Sequence, residues 1–195
     1  MDEVDTAAEK ANLRQAALAR RDALPGDARA AAAEAIAARA FPVPVAPGAI
    51  VSGFFPIRSE INPLPLMRKL AAAGAKLALP VVAGRGKPLI LRAYAFGDAL
   101  TAGQWGIREP APSAPEVIPD VMIVPLAAFD RSGHRLGYGA GYYDMTITRA
   151  RSLKSVTAVG IAFAVQEIVR VPVTPRDARL DLVLTEREVI DCRVS

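Results

Sequence analysis

Val121-Met-Ile-Val-Pro-Leu-Ala-Ala-Phe-Asp-Arg-Ser-Gly-His-Arg-Leu-Gly-Tyr-Gly-Ala-Gly-Tyr-Tyr-Asp144 is the stretch on which the reading of this chain turns. It opens on an apolar run, Val121 to Leu126, of the kind found in a strand buried on both faces. It closes on a helix-like run that starts at Tyr142. Between them Gly137, Gly139 and Gly141 alternate, with Arg135 ahead and Asp144 behind. Glycine has no Cβ and tolerates positive φ, so such a backbone turns tightly and comes close to a ligand. N–H groups gathered in a turn beside a helix N-terminus suit an anion such as phosphate. The spacing is not that of the dinucleotide fingerprint, and no Gly-x-x-x-x-Gly-Lys-Ser/Thr occurs, which removes the P-loop class. A nucleotide held by Arg135, the glycines and the flat faces of Tyr142 and Tyr143 is one reading, with Asp144 offering a hard oxygen to Mg²⁺. A turn that serves geometry alone is the other.

Outward from this stretch, strand-like and helix-like segments alternate. Helices are predicted over Asp5 to Leu24 and, capped by Asp27, to about Ala40. Strands follow at Ala49 to Phe55, Lys76 to Val82 and Leu89 to Tyr94, with a helix from Leu64 to Ala73 closed by Gly74. Residues 97–120, rich in proline, read as a long surface crossing. Val121 to Val124 reads as the central strand, Tyr142 to Leu153 as a helix, and Ser155 to Ala162 and Leu182 to Leu184 as late strands. The alternation implies an α/β layer architecture with a mostly parallel sheet.

Composition narrows the class. With 195 residues, 52% hydrophobic and 23% charged, the chain suits one well-packed folded domain. The formal charge of +4 is scattered, so a nucleic-acid arm is not expected and anionic small ligands fit at least as well. One cysteine excludes an internal disulfide framework or a cysteine-based zinc site. An acidic N-terminus without an apolar span leads to the expectation of a cytoplasmic protein with no membrane association.

Other residues carry paired readings. Glu60, just past the first strand, could hold the N–H groups of a heterocycle or simply belong to a helix N-terminus. Lys10 and Arg14 share a helical face and could reach a polyphosphate or form a solvated face. Trp105 could stack on a ring or anchor a loop. Asp181 could be a second Mg²⁺ contact or a partner of an arginine. Gln166 is either a cap or a contact. The single histidine, His134, reads as a polar loop residue.

Taken in order, these segments resemble the 5-formyltetrahydrofolate cyclo-ligase family. The resemblance runs through Lys10 and Arg14, Phe55-Pro56 to Glu60-Ile61, Leu79-Pro80, Trp105-Gly-Ile to Glu109-Pro110, Pro125 to Asp144, and Pro172 to Glu186. It implies a single three-layer domain like that of ribose-5-phosphate isomerases and CoA transferases, expected to be a monomer. It also implies an ATP- and Mg²⁺-dependent conversion of 5-formyltetrahydrofolate, with or without a polyglutamate tail, to 5,10-methenyltetrahydrofolate. Lys10, Arg14, Arg135, Leu136, Gly137, Tyr138, Gly139, Ala140, Gly141, Tyr142 and Tyr143 would then hold ATP. Phe55, Glu60, Trp105, Tyr138 and Tyr142 would hold the folate, with Arg135 and Tyr142 catalytic and Asp144 and Asp181 serving Mg²⁺. Ala140, Met145, Asn62 and Arg176 depart from the family pattern. The alternatives are a homologue that binds without turnover, and an isomerase or transferase sharing the fold.

Overall fold

The computed structural model of the protein describes residues 3–193. Its frame is a seven-stranded sheet with four helices packed around it. In chain order the elements are α1 (Glu3–Asp22), α2 (Gly26–Ala38), β1 (Ile50–Ser52), α3 (Leu64–Ala72), β2 (Lys76–Val81), β3 (Ile90–Tyr94), β4 (Leu100–Ala102), β5 (Arg108–Pro110), β6 (Val121–Val124), β7 (Ala128–Phe129), β8 (Arg135–Leu136), α4 (Tyr142–Leu153), β9 (Thr157–Ile161), β10 (Leu182–Leu184) and β11 (Val189–Asp191). The large sheet runs β11-β10-β9-β6-β1-β2-β3. Its five inner strands are parallel, and the two edges, β3 and β11, are antiparallel to their neighbours. β6 is the central strand, as its unbroken apolar run predicts.

Alternation along the strands divides the core in two. Val51, Leu77, Val121, Ile123, Val159 and Leu182 face α2 and α3, which contribute Ile36, Leu66, Met67 and Leu70. Ala78, Met122, Val124, Ala158 and Val183 face the other way, where Ile147 and Ala150 of α4 cover them. Helices therefore lie on both faces, which is the predicted three-layer arrangement. α1 packs separately, with Ala17 buried beside Ala128, Leu136 and Val171.

Several boundaries differ from expectation for local reasons. β6 stops at Val124 because Pro125 has no N–H to continue the ladder. β1 pairs only to Ser52; Phe54 and Phe55 leave the sheet to line a cavity. α2 starts at Gly26 without a side-chain cap, and Asp27 sits inside its first turn, so it is not the cap. The 97–120 crossing contains a two-stranded hairpin, β4 with β5. A second small hairpin, β7 with β8, lifts Arg135 out of the segment quoted above. β11 completes an edge where no strand is predicted.

Candidate active site

The strand order reverses between β1 and β6: β2 continues to one side, β9 and β10 to the other. Open α/β sheets bind ligands in the crevice beyond the carboxyl ends at such a point. A cavity of about 360 Å³ lies there. Phe54, Phe55, Ile57 and Glu60 come from the loop after β1, and Pro80 and Val82 from the end of β2. Ile107, Arg108 and Glu109 come from the β4–β5 hairpin, and residues from Arg135 to Asp144 form the facing wall.

Glu60 is aimed by its own turn. Arg58 adopts φ 55°, the one positive φ outside glycine among the described residues, and the Glu60 amide donates to the Ile57 carbonyl at 3.1 Å. The Ile57 amide in return donates to Glu60 Oε2 at 2.8 Å. Burial raises the Glu60 carboxyl above its ordinary range, against the opposing effects of the Tyr138 hydrogen bond, the Ile57 amide and the Arg21 charge.

Opposite stands the glycine turn. Gly139 (φ 100°) and Gly141 (φ 68°) occupy the left-handed region, while Ala140 does not, so the alanine is accommodated without strain. Gly141 is the N-cap of α4 and supplies no side-chain cap. The first-turn amides of Tyr142, Tyr143 and Asp144 thus have no intrahelical acceptor, and these residues line the cavity. Arg135 is 5% exposed; its Nη1 donates to Asp144 Oδ1 at 2.7 Å, and its Nε is buried without a partner among the described residues. Asp144 Oδ1 also accepts the Ala178 amide at 3.0 Å. The phenol of Tyr143 is raised by burial first and by the Glu60 charge second.

Behind the turn, α1 presents Lys10, Arg14 and Arg21 on one face. Arg14 Nε donates to the Gly137 carbonyl at 2.6 Å, and Lys10 pairs with Asp177. Arg21, 3% exposed, donates to Ser59 Oγ at 2.9 Å and to the Tyr138 hydroxyl at 2.7 Å. Tyr138 also hydrogen-bonds Glu60. Its half-exposed ring therefore bridges the glycine turn to the Glu60 loop, with Arg21 as anchor. Sequence reasoning missed Arg21, although it lies seven residues beyond Arg14 on the same helical stripe.

The remaining predicted residues divide. Phe55, Glu60, Arg135, Gly137, Tyr138, Ala140, Gly141, Tyr142, Tyr143 and Asp144 line one cavity; Arg14 holds its glycine wall through the Gly137 carbonyl, whereas Lys10 is paired with Asp177. Gly139 lies in that wall's turn, and Leu136 is buried beneath it. Asp181 is not brought to Asp144. Its Oδ2 accepts Arg151 Nη2 and the Ala158 amide, both at 2.7 Å, at the far end of α4, because it sits before β10 rather than after it. Trp105 occupies a short 3-10 turn, and its side chain lies outside the described residues. Gln166 is structural: it accepts the Phe163 amide and donates to the Leu126 and Ala127 carbonyls. Asn62 accepts the Leu64 amide at 3.1 Å at the start of α3, so its amide serves where an acid is frequent. His134 lies beside Asp130, 3.6 Å away.

Unpredicted walls come from Pro80, Val82 and the β4–β5 hairpin. Glu109 is the surprise there, 8% exposed and accepting the Val82 amide at 3.1 Å. Gly103 makes room for it: a Cβ on Gly103 would stand 2.1 Å from the Glu109 carboxyl carbon. A glycine set six residues before an acid–proline pair is the faint signal in the sequence.

For a divalent cation, no group of three His, Cys, Asp or Glu side chains gathers among the described residues. Asp144 does fit Mg²⁺ brought by a phosphate ligand, since that ion takes one or two carboxylates and keeps its remaining positions for phosphate and water. Its Oδ2 faces no partner among the described residues.

A cavity at the switch point of the sheet, with a glycine turn at a helix N-terminus on one wall and a half-buried acid on the other, is the site of an α/β enzyme that takes small molecules. Comparison with known proteins narrows the class. Residues 6–186 match the model of the 5-formyltetrahydrofolate cyclo-ligase family. The chain is 36% identical to a 5-formyltetrahydrofolate cyclo-ligase of Mycolicibacterium smegmatis, covering 93% of this chain and 95% of that one. It is 34% identical to the Escherichia coli protein of the same name over 75% and 82%. The solution structure of Aquifex aeolicus 5,10-methenyltetrahydrofolate synthetase superposes with a TM-score of 0.76 at 28% identity, covering 95% of this chain and 94% of that one. The chain belongs to the 5-formyltetrahydrofolate cyclo-ligase family.

Proposed function

We propose that the protein converts 5-formyltetrahydrofolate to 5,10-methenyltetrahydrofolate, using ATP and Mg²⁺ and releasing ADP and phosphate. The observation that carries this reading is the opposition of Glu60 and the glycine turn across one cavity. A carboxylate at Glu60 accepts the N–H groups of a pterin edge, and the turn with Arg135 receives phosphate oxygens. The two substrates then meet between them.

An N-formyl amide is a poor electrophile. Its oxygen attacks the γ-phosphorus of ATP, the bond to the ADP oxygen breaks, and the formyl carbon becomes activated. The neighbouring anilino nitrogen attacks that carbon, its proton is released, and the carbon–oxygen bond breaks as phosphate departs. No protein nucleophile is required. Arg135, Lys10, Arg14 and the first-turn amides of α4 align the phosphates and stabilise the charge that develops on them. Tyr142, at the junction of turn and helix, borders both substrates. Asp144 would hold Mg²⁺ when ATP is bound, and the ion would there neutralise phosphate charge.

The reading is tested by following the formyl oxygen. Substrate carrying a heavy oxygen isotope in the formyl group is expected to deliver it to inorganic phosphate. Label appearing in water and not in phosphate would exclude the phosphoryl-transfer route.

A further inference from the structure

Three acids are among the residues that line the main cavity: Glu60, Glu109 and Asp144. Two of them have a part in the proposed reaction and a partner at hand. Asp144 pairs with Arg135, and Glu60 takes the Ile57 amide and the Tyr138 hydroxyl, with the Arg21 charge acting on it. Glu109 has neither. It is 8% exposed, and its carboxylate makes no ion pair among the described residues. Its side-chain hydrogen bond there is the 3.1 Å contact from the Val82 amide to Oε1.

The β4–β5 hairpin fixes this carboxylate in place. Gly103 lies against it, since a Cβ there would stand 2.1 Å from the carboxyl carbon and 2.3 Å from Oε2. The Thr101 hydroxyl donates to the Glu109 carbonyl at 3.4 Å and steadies the backbone of the same residue. Phe54, Pro80, Val82, Leu89 and Ile107 line the same cavity with apolar surface. A charge among apolar groups is costly when nothing opposes it, and it acts strongly on any charge brought beside it. A fixed anion of this kind suits a ligand that is, or becomes, a cation.

Neither substrate of the proposed reaction is a cation at its reacting atoms, but the folate product is. When the carbon–oxygen bond breaks, its electron pair leaves with phosphate. The anilino nitrogen has by then given up its proton, which ends on that phosphate. The lone pairs of the two nitrogens share the electron deficiency of the carbon between them. One positive charge therefore stays on the N–C–N unit of 5,10-methenyltetrahydrofolate. We infer that Glu109 is the counter-charge to this cation. It opposes the positive charge as ring closure builds it, and so favours the transition state and product over the neutral formyl group. The inference rests on the folate reading of the cavity.

The test sets 5,10-methenyltetrahydrofolate, the cation, against 5,10-methylenetetrahydrofolate, which has the same bridged ring without the charge. By calorimetry the full chain is expected to bind the cation on the order of tenfold more tightly. Glu109→Gln keeps an acceptor for the Val82 amide and removes the charge, so it separates electrostatics from anchoring. In that variant the preference is expected to fall toward one. Its kcat is expected to drop by about tenfold to a hundredfold, with the KM for ATP and for 5-formyltetrahydrofolate unchanged. Glu109→Asp, which keeps the charge, is expected to recover part of the preference. Equal affinity of the unsubstituted protein for the two ligands overturns the inference and leaves the folate cavity standing. A preference that survives Glu109→Gln overturns it as well. So does a Glu109→Gln protein that unfolds or loses both ligands alike, because the carboxylate is then an anchor of the hairpin alone. Failure of the unsubstituted protein to bind either ligand overturns the folate reading itself, and the counter-charge with it.

Discussion

At Glu60 burial opposes a hydrogen bond and a cation, and burial prevails, so the carboxyl titrates above the ordinary range of about 4.3. In the proposed reaction the charged form is the one that accepts pterin N–H groups. Folate affinity is therefore expected to be full at neutral pH and to fall as pH drops through that raised value, earlier than for a free carboxylate. Glu60→Gln should weaken folate more than ATP and flatten this acid limb; the same limb in the variant would place the titration elsewhere. Arg21 acts through the same pair. Tyr138→Phe removes the hydroxyl that meets both Arg21 and Glu60, and a loss of about 1–3 kcal/mol in folate binding is expected from those unmade bonds. Titration calorimetry against folate checks it, and an unaltered affinity would show that the bridge is dispensable. Asp144 and Asp181 separate by location. Asp144→Ala is expected to abolish Mg²⁺-dependent turnover. Asp181→Ala should leave the Mg²⁺ requirement alone and lower stability by about 1–3 kcal/mol, because Arg151 and the Ala158 amide lose their acceptor. A weakened Mg²⁺ requirement in Asp181→Ala, with stability intact, would contradict the separation.

Among the elements, the turn from Gly137 to Gly141 is where backbone freedom and chemistry coincide. Gly139→Ala meets open space but must hold φ near 100°, which costs about 1–3 kcal/mol if the turn keeps its shape. The expected result is a raised KM for ATP with little change in melting temperature, since the exposed turn relaxes away from that φ rather than bearing the strain. A kinetically silent substitution would mean that the turn does not shape the phosphate site. Longer elements were legible in the sequence where a periodic or unbroken apolar pattern extends over them. The helix predicted over Tyr142 to Leu153 and the strand over Leu182 to Leu184 match the observed bounds. The short strands of the two hairpins and of the β11 edge carry no such pattern. β4, β5, β7, β8 and β11 exist because partners distant or turned in the chain supply their hydrogen bonds, and Glu109 reaches the cavity only through them. Arg21 escaped attention for the same reason: Tyr138 and Ser59 are close in space and remote in sequence.

For the whole molecule, sheet order does the positioning. Because β1 and β6 are neighbours whose chains diverge in opposite directions, the loop after β1 and the turn before α4 end on the two walls of one crevice. Glu60 and Arg135, far apart in the chain, share a cavity as a result. The sequence stretch around the glycines announced one wall of that crevice, and Glu60 announced the other. Their meeting face to face needed the topology. The most direct measurement of the account is absorbance of the cyclised folate during incubation of the purified protein with 5-formyltetrahydrofolate, Mg²⁺ and ATP. Growth of that absorbance, dependent on ATP and matched one for one by ADP and phosphate, is the predicted result. Folate binding without any ATP-dependent growth would contradict it.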